Sequence, residues 1–300
     1  VRTTLHLEML GLLGTVALLG GCGIPPPASQ LPSASAAIDR MRATLAPCTG
    51  VQAGASFEVS RRVALVFSGS VRGDVLLYAA SPSRVRLDIV SSFGISLATL
   101  TSDGTRFAFA DLREKRFSVG EASACNIARF TTVPMPPNVL VDLLLGRAPV
   151  LKHVSAGTIE WSGDGYYVVT IPGTRDASEE IRLAPAPADL RKPWSEQRMR
   201  VVGVKVQQYG STLYDASLAG HARAPMAKER VDADGIDPPI PPSGPLCEAE
   251  LPRRIHIEVP DRNEELDLRY KDVAWNPPLP DGIFEQSPPP GLPVVPVRCE

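Results

Sequence analysis

Apolar and polar residues alternate strictly in several stretches of the chain. In residues 84–89, Val85, Leu87 and Ile89 alternate with charged residues. The same period of two recurs in three further stretches, at 63–67, 254–259 and 266–271. Because successive side chains of a strand point to opposite faces, each stretch predicts a strand with one apolar face. The pattern is typical of an antiparallel sheet with one side in water.

Turn signals separate these stretches. Asp103-Gly104 predicts a hairpin turn between strands at 97–101 and 106–110, and residues 113–115 predict a second turn. Later strands are predicted in three places, at 158–161, 166–171 and 198–208.

Two segments have helical rather than strand periodicity. Three apolar residues lie on one face of a helix predicted over 35–46 with Ser35 as its N-cap; they are Ile38, Met41 and Leu45. A second helix is predicted over 139–145, after the proline-rich residues 134–138 and before Gly146. Helices are too few for alternating strand–helix units, so the chain is expected to form a large antiparallel sheet with helices on its apolar face.

The amino terminus carries an export signal. An apolar run from Met9 to Leu19 is too short to span a bilayer, which needs about 20 apolar residues. The run ends in Leu19-Gly20-Gly21-Cys22, which resembles the bacterial lipobox. That resemblance implies cleavage before Cys22 and acylation of it, and two or more acyl chains give stable anchoring in membrane lipid. In enterobacterial lipoproteins an Asp after the acylated cysteine holds the protein at the inner membrane; the resemblance with Gly23 at this position therefore favours the outer membrane, facing the periplasm.

Proline-rich stretches suggest the domain boundaries. We predict a signal peptide at 1–21, a Pro/Ser-rich tether at 22–34, one domain at 35–275 with an irregular insertion near 234–252, and a proline-rich tail at 276–300. The formal charge of −2 and the absence of a run of like charges argue against nucleic acid as a partner.

Four cysteines remain after Cys22, namely Cys48, Cys125, Cys247 and Cys299. An even number in an exported protein predicts two disulfides, with three possible pairings. We favour Cys48–Cys125 and Cys247–Cys299, because the latter two lie in irregular segments that otherwise lack a tether. No two of these cysteines are close in sequence and the histidines are scattered, so no metal site is predicted.

No catalytic residue or cofactor is predicted either. The sequence contains no His-Glu-x-x-His, no Gly-x-Ser-x-Gly and no glycine-rich phosphate loop. Adjacent acids such as Glu179-Glu180 and Glu264-Glu265 lie beside likely turns. Because adjacent carboxylates on a strand point to opposite faces, neither pair is an obvious acid/base pair.

Several local patterns occur in a recognisable order. A strand, an aromatic-Gly turn and a returning strand occupy 84–97, a hairpin follows at 100–104, and a proline-started helix occupies 133–146. A last pattern runs from Tyr270-Lys271-Asp272-Val273 to Pro288-Pro289-Pro290-Gly291. This ordered set, over about 35–171 and 255–291, resembles the LolA/LolB-like lipoprotein-localisation family and its relatives of unassigned function.

The resemblance implies a mainly β (α+β) fold, in which a large curved antiparallel sheet forms an unclosed half-barrel and two or three helices cover its concave face. The family's carriers hold lipoprotein acyl chains in that cavity, and an outer-membrane member, itself a lipoprotein, receives them. Cys22 therefore places this chain on the receiving side. Its expected partners are lipoprotein acyl chains or another hydrophobic ligand, and a periplasmic carrier.

The resemblance also implies residues for these roles. Phe93, Gly94 and Ile95 match a protruding loop that perturbs the membrane, although Phe93 could equally be core. The expected acyl-cavity lining is Phe67, Leu87, Ile89, Leu97, Phe107, Phe109, Leu140 and Leu144. A packed core would have the same sequence pattern. The alternative is therefore a structural or adaptor lipoprotein of the envelope with a filled core, which would bind another envelope protein through 237–252 or the tail.

Overall fold

The computed structural model describes residues 23–63, 67–91, 93–131, 135–153, 155–232, 234 and 236–299. The predicted signal peptide and Cys22 lie outside these residues. Within them the chain forms three α-helices, α1 (Ala34–Leu45), α2 (Ala124–Thr131) and α3 (Pro137–Leu144).

The first strands are β1 (Gly50–Val63), β2 (Phe67–Ala80), β3 (Arg84–Val90), β4 (Ser96–Ser102), β5 (Arg106–Asp111) and β6 (Arg116–Glu121). The middle strands are β7 (Thr158–Ser162), β8 (Tyr166–Pro172), β9 (Ala177–Pro185), β10 (Met199–Gln208) and β11 (Ser211–Ala219). The last strands are β12 (Ala222–Arg223), β13 (Glu250–Leu251), β14 (Arg254–Val259), β15 (Glu264–Trp275) and β16 (Val294–Val297).

Fourteen strands form one sheet in the order β16-β6-β5-β4-β3-β2-β1-β15-β14-β11-β10-β9-β8-β7, while β12 and β13 pair separately. β16 pairs with β6 in parallel, and the other neighbours in the large sheet are antiparallel. The sheet does not close into a barrel. The expected mainly β, unclosed half-barrel with helices is confirmed.

Antiparallel pairing gives the half-barrel two rims. The open rim holds the turns at 91–95, 112–115, 173–176 and 209–210. The closed rim holds the turns at 81–83, 103–105 and 163–165. Helices pack at the closed rim: the Met199 amide, at the start of β10, donates to Thr44 Oγ1 of α1 at 3.1 Å, and Arg147, just after α3, donates to Ser81 Oγ at 2.8 Å.

The inner face of the sheet carries the core. The registers align its apolar residues across strands, for example Ala55 with Val75 and Val75 with Ile89. Most of this face packs against α1 and α3 in one large hydrophobic core. A smaller core between β4, β5 and β16 consists of Ala98, Leu100, Phe107, Phe109 and Val297.

The predicted helices are present with shifted starts. Ser33 rather than Ser35 caps α1, because its hydroxyl accepts the Ala36 amide at 3.2 Å. The helix α3 begins at Pro137, and Gly146 follows it with φ +68°, a left-handed conformation that suits glycine. The helix α2 was not predicted.

Both terminal segments belong to the folded body. The N-terminal segment (residues 23–33) lacks regular structure but packs on the domain, with Leu31 buried. The predicted tether thus forms no helix or strand, but its described residues are docked on the domain. The C-terminal tail returns to the sheet as β16, where Val294 aligns with Phe117 of β6.

The disulfides pair differently from our preference. Cys48 bonds to Cys247 and Cys125 bonds to Cys299, with Cα–Cα distances of 5.1 and 6.1 Å. The preferred pairing, Cys48–Cys125 with Cys247–Cys299, is wrong because each irregular segment is tied to the domain and not to the other segment. The tail brings Cys299 to α2, and the insertion brings Cys247 to the start of β1.

Candidate functional site

A large cleft lies at the open rim. It has a volume of about 1090 Å³ and is open to solvent. Its inner-face lining is mainly apolar and comes from the five neighbouring strands β1 to β5. The lining residues on this face are Phe57, Val59, Val71, Gly73, Ile89, Ala98, Phe109 and Asp111. The cleft is also bordered by polar residues of the opposite face, on β1, β2 and β15; they include Glu58, Arg72, Asp267 and Arg269.

The cleft exists because the strands β1 and β2 extend beyond the helices and the neighbouring strand β3 that cover and flank them. Both have 14 residues, and β3 pairs only with Asp74–Ala80 of β2. The helices pack at the closed rim, so none of the helices in the described part of the chain covers the inner face of this hairpin near the open rim. Val71 there is 65% exposed despite facing the same side as the core residue Val75.

The predicted lining residues separate into three groups. Ile89, Leu97 and Phe109 border the cleft. Leu140 and Leu144 are buried in the large core, Phe107 is buried in the smaller one, and Leu87 touches both cores. Phe67 begins β2, and its side chain lies outside the described residues. Phe57, Val59 and Val71 border the cleft but were not predicted.

The predicted membrane loop lies beside the cleft at the open rim. Phe93 is 88% exposed and Ile95 is 64% exposed. The loop has its own structure, because Ser91 Oγ accepts the Ile95 amide at 3.1 Å and Gly94 has φ +76°. Leu112, in the next turn along the rim, is also exposed. Covering a side chain such as Phe93 is worth about 1.5–3 kcal/mol, so this rim favours an apolar contact.

Two carboxyl groups with raised pKa values lie away from the cleft, Glu179 on the inner face of the sheet and the half-buried Asp142 in α3. Glu179 is fully buried on β9, and its Oε2 accepts the Leu151 amide at 2.8 Å. Burial raises the pKa of Glu179 to about 7. Burial likewise raises the pKa of Asp142 in α3 to about 6, against the opposing charge of Arg147. Sequence reasoning missed this pair because it placed Glu179 beside a likely turn and predicted no strand there.

The described residues offer little for metal or redox chemistry. Among them, no three His, Cys, Asp or Glu side chains are grouped as a metal site requires. His256 lies on the outer face, with Nε2 at 3.2 Å from Glu258 Oε1 and Nδ1 at 3.6 Å from Asp267 Oδ2. Burial lowers the pKa of His221 to about 4, and its ring contacts the Val201 carbonyl oxygen. No helix in the described part of the chain is long and apolar enough to cross a bilayer.

Comparisons with known proteins identify the fold. No family model matches the chain, and no curated protein does. Among solved structures, a LolA superfamily protein from Nitrosomonas europaea has a TM-score of 0.50 at 12% identity, covering 85% of this chain and 98% of its own. A DUF1329 family protein from Desulfovibrio piger has a TM-score of 0.52 at 9% identity, covering 84% of this chain and 97% of its own. The chain therefore has a LolA-like fold.

Proposed function

We propose that this chain is a lipid-anchored, non-catalytic protein of the bacterial envelope. It binds an acyl chain, carried by a lipoprotein or by another hydrophobic ligand, in the cleft at the open rim. Cys22 supplies the anchor in the outer membrane, and a periplasmic carrier supplies the ligand. The observation that carries the proposal is the open apolar cleft itself.

Size and surroundings support this assignment. Small-molecule sites have volumes of about 300–1,000 Å³ and are mainly apolar. The cleft, at about 1090 Å³, is large enough for such a ligand. The exposed Phe93 and Ile95 lie on the same rim as the cleft, between its lining residues Ser91 and Leu97, where they would contact the ligand's source. The LolA-like fold adds support, since the family resemblance implies an acyl-chain cavity.

The filled half of the fold favours a second candidate. Leu140 and Leu144, expected to line a cavity, are buried in a closed core. An adaptor that binds another envelope protein needs only this closed core and would leave the cleft empty of lipid.

The test uses the soluble chain beginning at Gly23. We expect mass spectrometry to find co-purified lipid and a fluorescent fatty acid to bind and be displaced by unlabelled fatty acid. Val71→Glu places a charge in the cleft at an exposed position, so it should weaken this binding at least tenfold without unfolding the protein.

The matched control is Leu76→Glu. Leu76 lies on the same strand, is 52% exposed, and pairs with Asp88 on the opposite face, outside the cleft. It should bind fatty acid like the unmodified protein. If no lipid co-purifies and the Val71→Glu and Leu76→Glu variants bind fatty acid equally, the cleft is not the acyl-binding site. That result would favour the adaptor function.

A further inference from the structure

The N-terminal segment is held against the closed rim by specific contacts. The Ile24 amide donates to the Gly163 carbonyl oxygen at 2.8 Å, and Trp161 Nε1 donates to the Ile24 carbonyl oxygen at 2.9 Å. Further along, the Trp194 amide donates to Ser29 Oγ at 3.0 Å. These contacts fix the path of the chain from Gly23 to α1.

The segment begins far from the cleft. Gly23 packs directly on Gly163, in the β7–β8 turn of the closed rim. The proposed anchor residue, Cys22, directly precedes Gly23 in the chain. The open rim lies a strand length beyond, which is roughly 20 Å for a six-residue strand such as β5 (Arg106–Asp111).

The apolar loop is also displaced sideways from this point. Between β3, which leads into Phe93, and β7 there are nine strand-to-strand steps in the sheet. Each step is about 4.8 Å along the curved surface. Phe93 and Gly23 thus belong to opposite rims and to distant parts of the sheet.

We propose that the docked N-terminal segment makes the molecule stand on its closed rim, with the cleft and Phe93 directed away from the anchoring membrane. The inference rests on the proposed acylation of Cys22. The cleft then takes its ligand from the aqueous side and not from the leaflet that holds the anchor.

Docking of the segment is what decides this orientation. If residues 23–33 were free, eleven residues would span up to roughly 36–40 Å, which is enough to turn the open rim back to the membrane. An interfacial contact requires apolar groups to enter about 5–10 Å into the headgroup boundary. Because the segment is docked, this length of free chain is not available to turn the open rim toward the membrane.

The experiment measures energy transfer from a protein label to an acceptor dye on lipid headgroups, using the acylated protein in vesicles. Thr105→Cys and Glu114→Cys provide a matched pair of labelling sites, both exposed and at opposite ends of β5. We expect clearly higher transfer from position 105, at the closed rim, than from position 114. Inserting 15 Gly/Ser residues between Cys22 and Gly23 adds a root-mean-square span of about 22 Å and should abolish the difference.

Equal transfer from the two sites, or higher transfer from position 114, in the uninserted protein would overturn the inference. That result would leave fatty-acid binding by the soluble chain intact, so the proposed function would survive it. If the N-terminal peptide carries no acyl group and the protein does not float with vesicles, the anchor itself is refuted and the inference falls with it.

Discussion

The buried carboxyl group of Glu179 predicts an unusual dependence of stability on pH. Glu179 lies on the inner face of β9, between Ile171 of β8 and Val206 of β10. Its Oε2 accepts the Leu151 amide, while its Oε1 has no hydrogen-bond partner among the described residues. Because the charged form is desolvated there, burial raises the pKa to about 7 from an ordinary value of 4.5.

The sign follows from proton binding. Between pH 4.5 and 7 the folded protein holds a proton on Glu179 that the unfolded chain has lost. The contribution of this group to stability is therefore complete below pH 4.5 and is lost as the pH rises through 7. Each unit of pKa difference is worth about 1.4 kcal/mol, so the loss amounts to about 3 kcal/mol above pH 8.

Glu179→Gln tests this directly, since glutamine has the shape of the protonated acid and can still accept the Leu151 amide. We expect equal free energies of unfolding at pH 4.5 and an advantage of about 3 kcal/mol for the variant above pH 8. Urea unfolding followed by tryptophan fluorescence, with the disulfides intact, measures both. Asp142 remains in the variant and should leave its own pH dependence between about 4 and 6.

The control is Glu180→Gln at the next position. Glu180 points to the outer face and pairs with Arg182 at 2.7 Å, so its loss should lower stability by at most about 1 kcal/mol. If Glu179→Gln destabilises the protein at every pH, or keeps the pH profile of the unmodified protein, then Glu179 is ionised in the folded state and the reasoning is wrong.

Two further predictions concern other parts of the molecule. Asn276 is fully buried, and its side chain accepts the amides of Thr49 and Gly50 and donates to the carbonyl oxygens of Pro47 and Pro245. Asn276→Ala should therefore lower the free energy of unfolding, measured in urea, by about 2–4 kcal/mol. A loss below about 0.5 kcal/mol would contradict this prediction. Phe93→Glu should weaken liposome binding of the soluble chain roughly 10- to 100-fold while unfolding changes by less than about 0.5 kcal/mol, whereas an equal loss of stability would identify Phe93 as core.

Local patterns determined much of the fold. Strands such as β3, β14 and β15 were predicted because each has one face on the core and one in water, which imposes a period of two. The turn at Gly104 was equally readable, since its φ of +97° suits glycine. The strand β9 was missed because its inner-face residue Glu179 is polar, and hydropathy cannot indicate a buried carboxyl group.

The sequence by itself thus determined that the chain is β-rich, where most strands lie, and that four cysteines follow Cys22. Only the tertiary structure decided which cysteines pair, where the N-terminal segment docks and which apolar residues border a cleft. Ile89 and Leu144 are both apolar and were both expected to line a cavity, yet Ile89 borders open space whereas Leu144 of α3 is buried in the large core. The physical reason is that periodicity reports which face a side chain occupies, whereas an opening depends on how far the helices extend over that face.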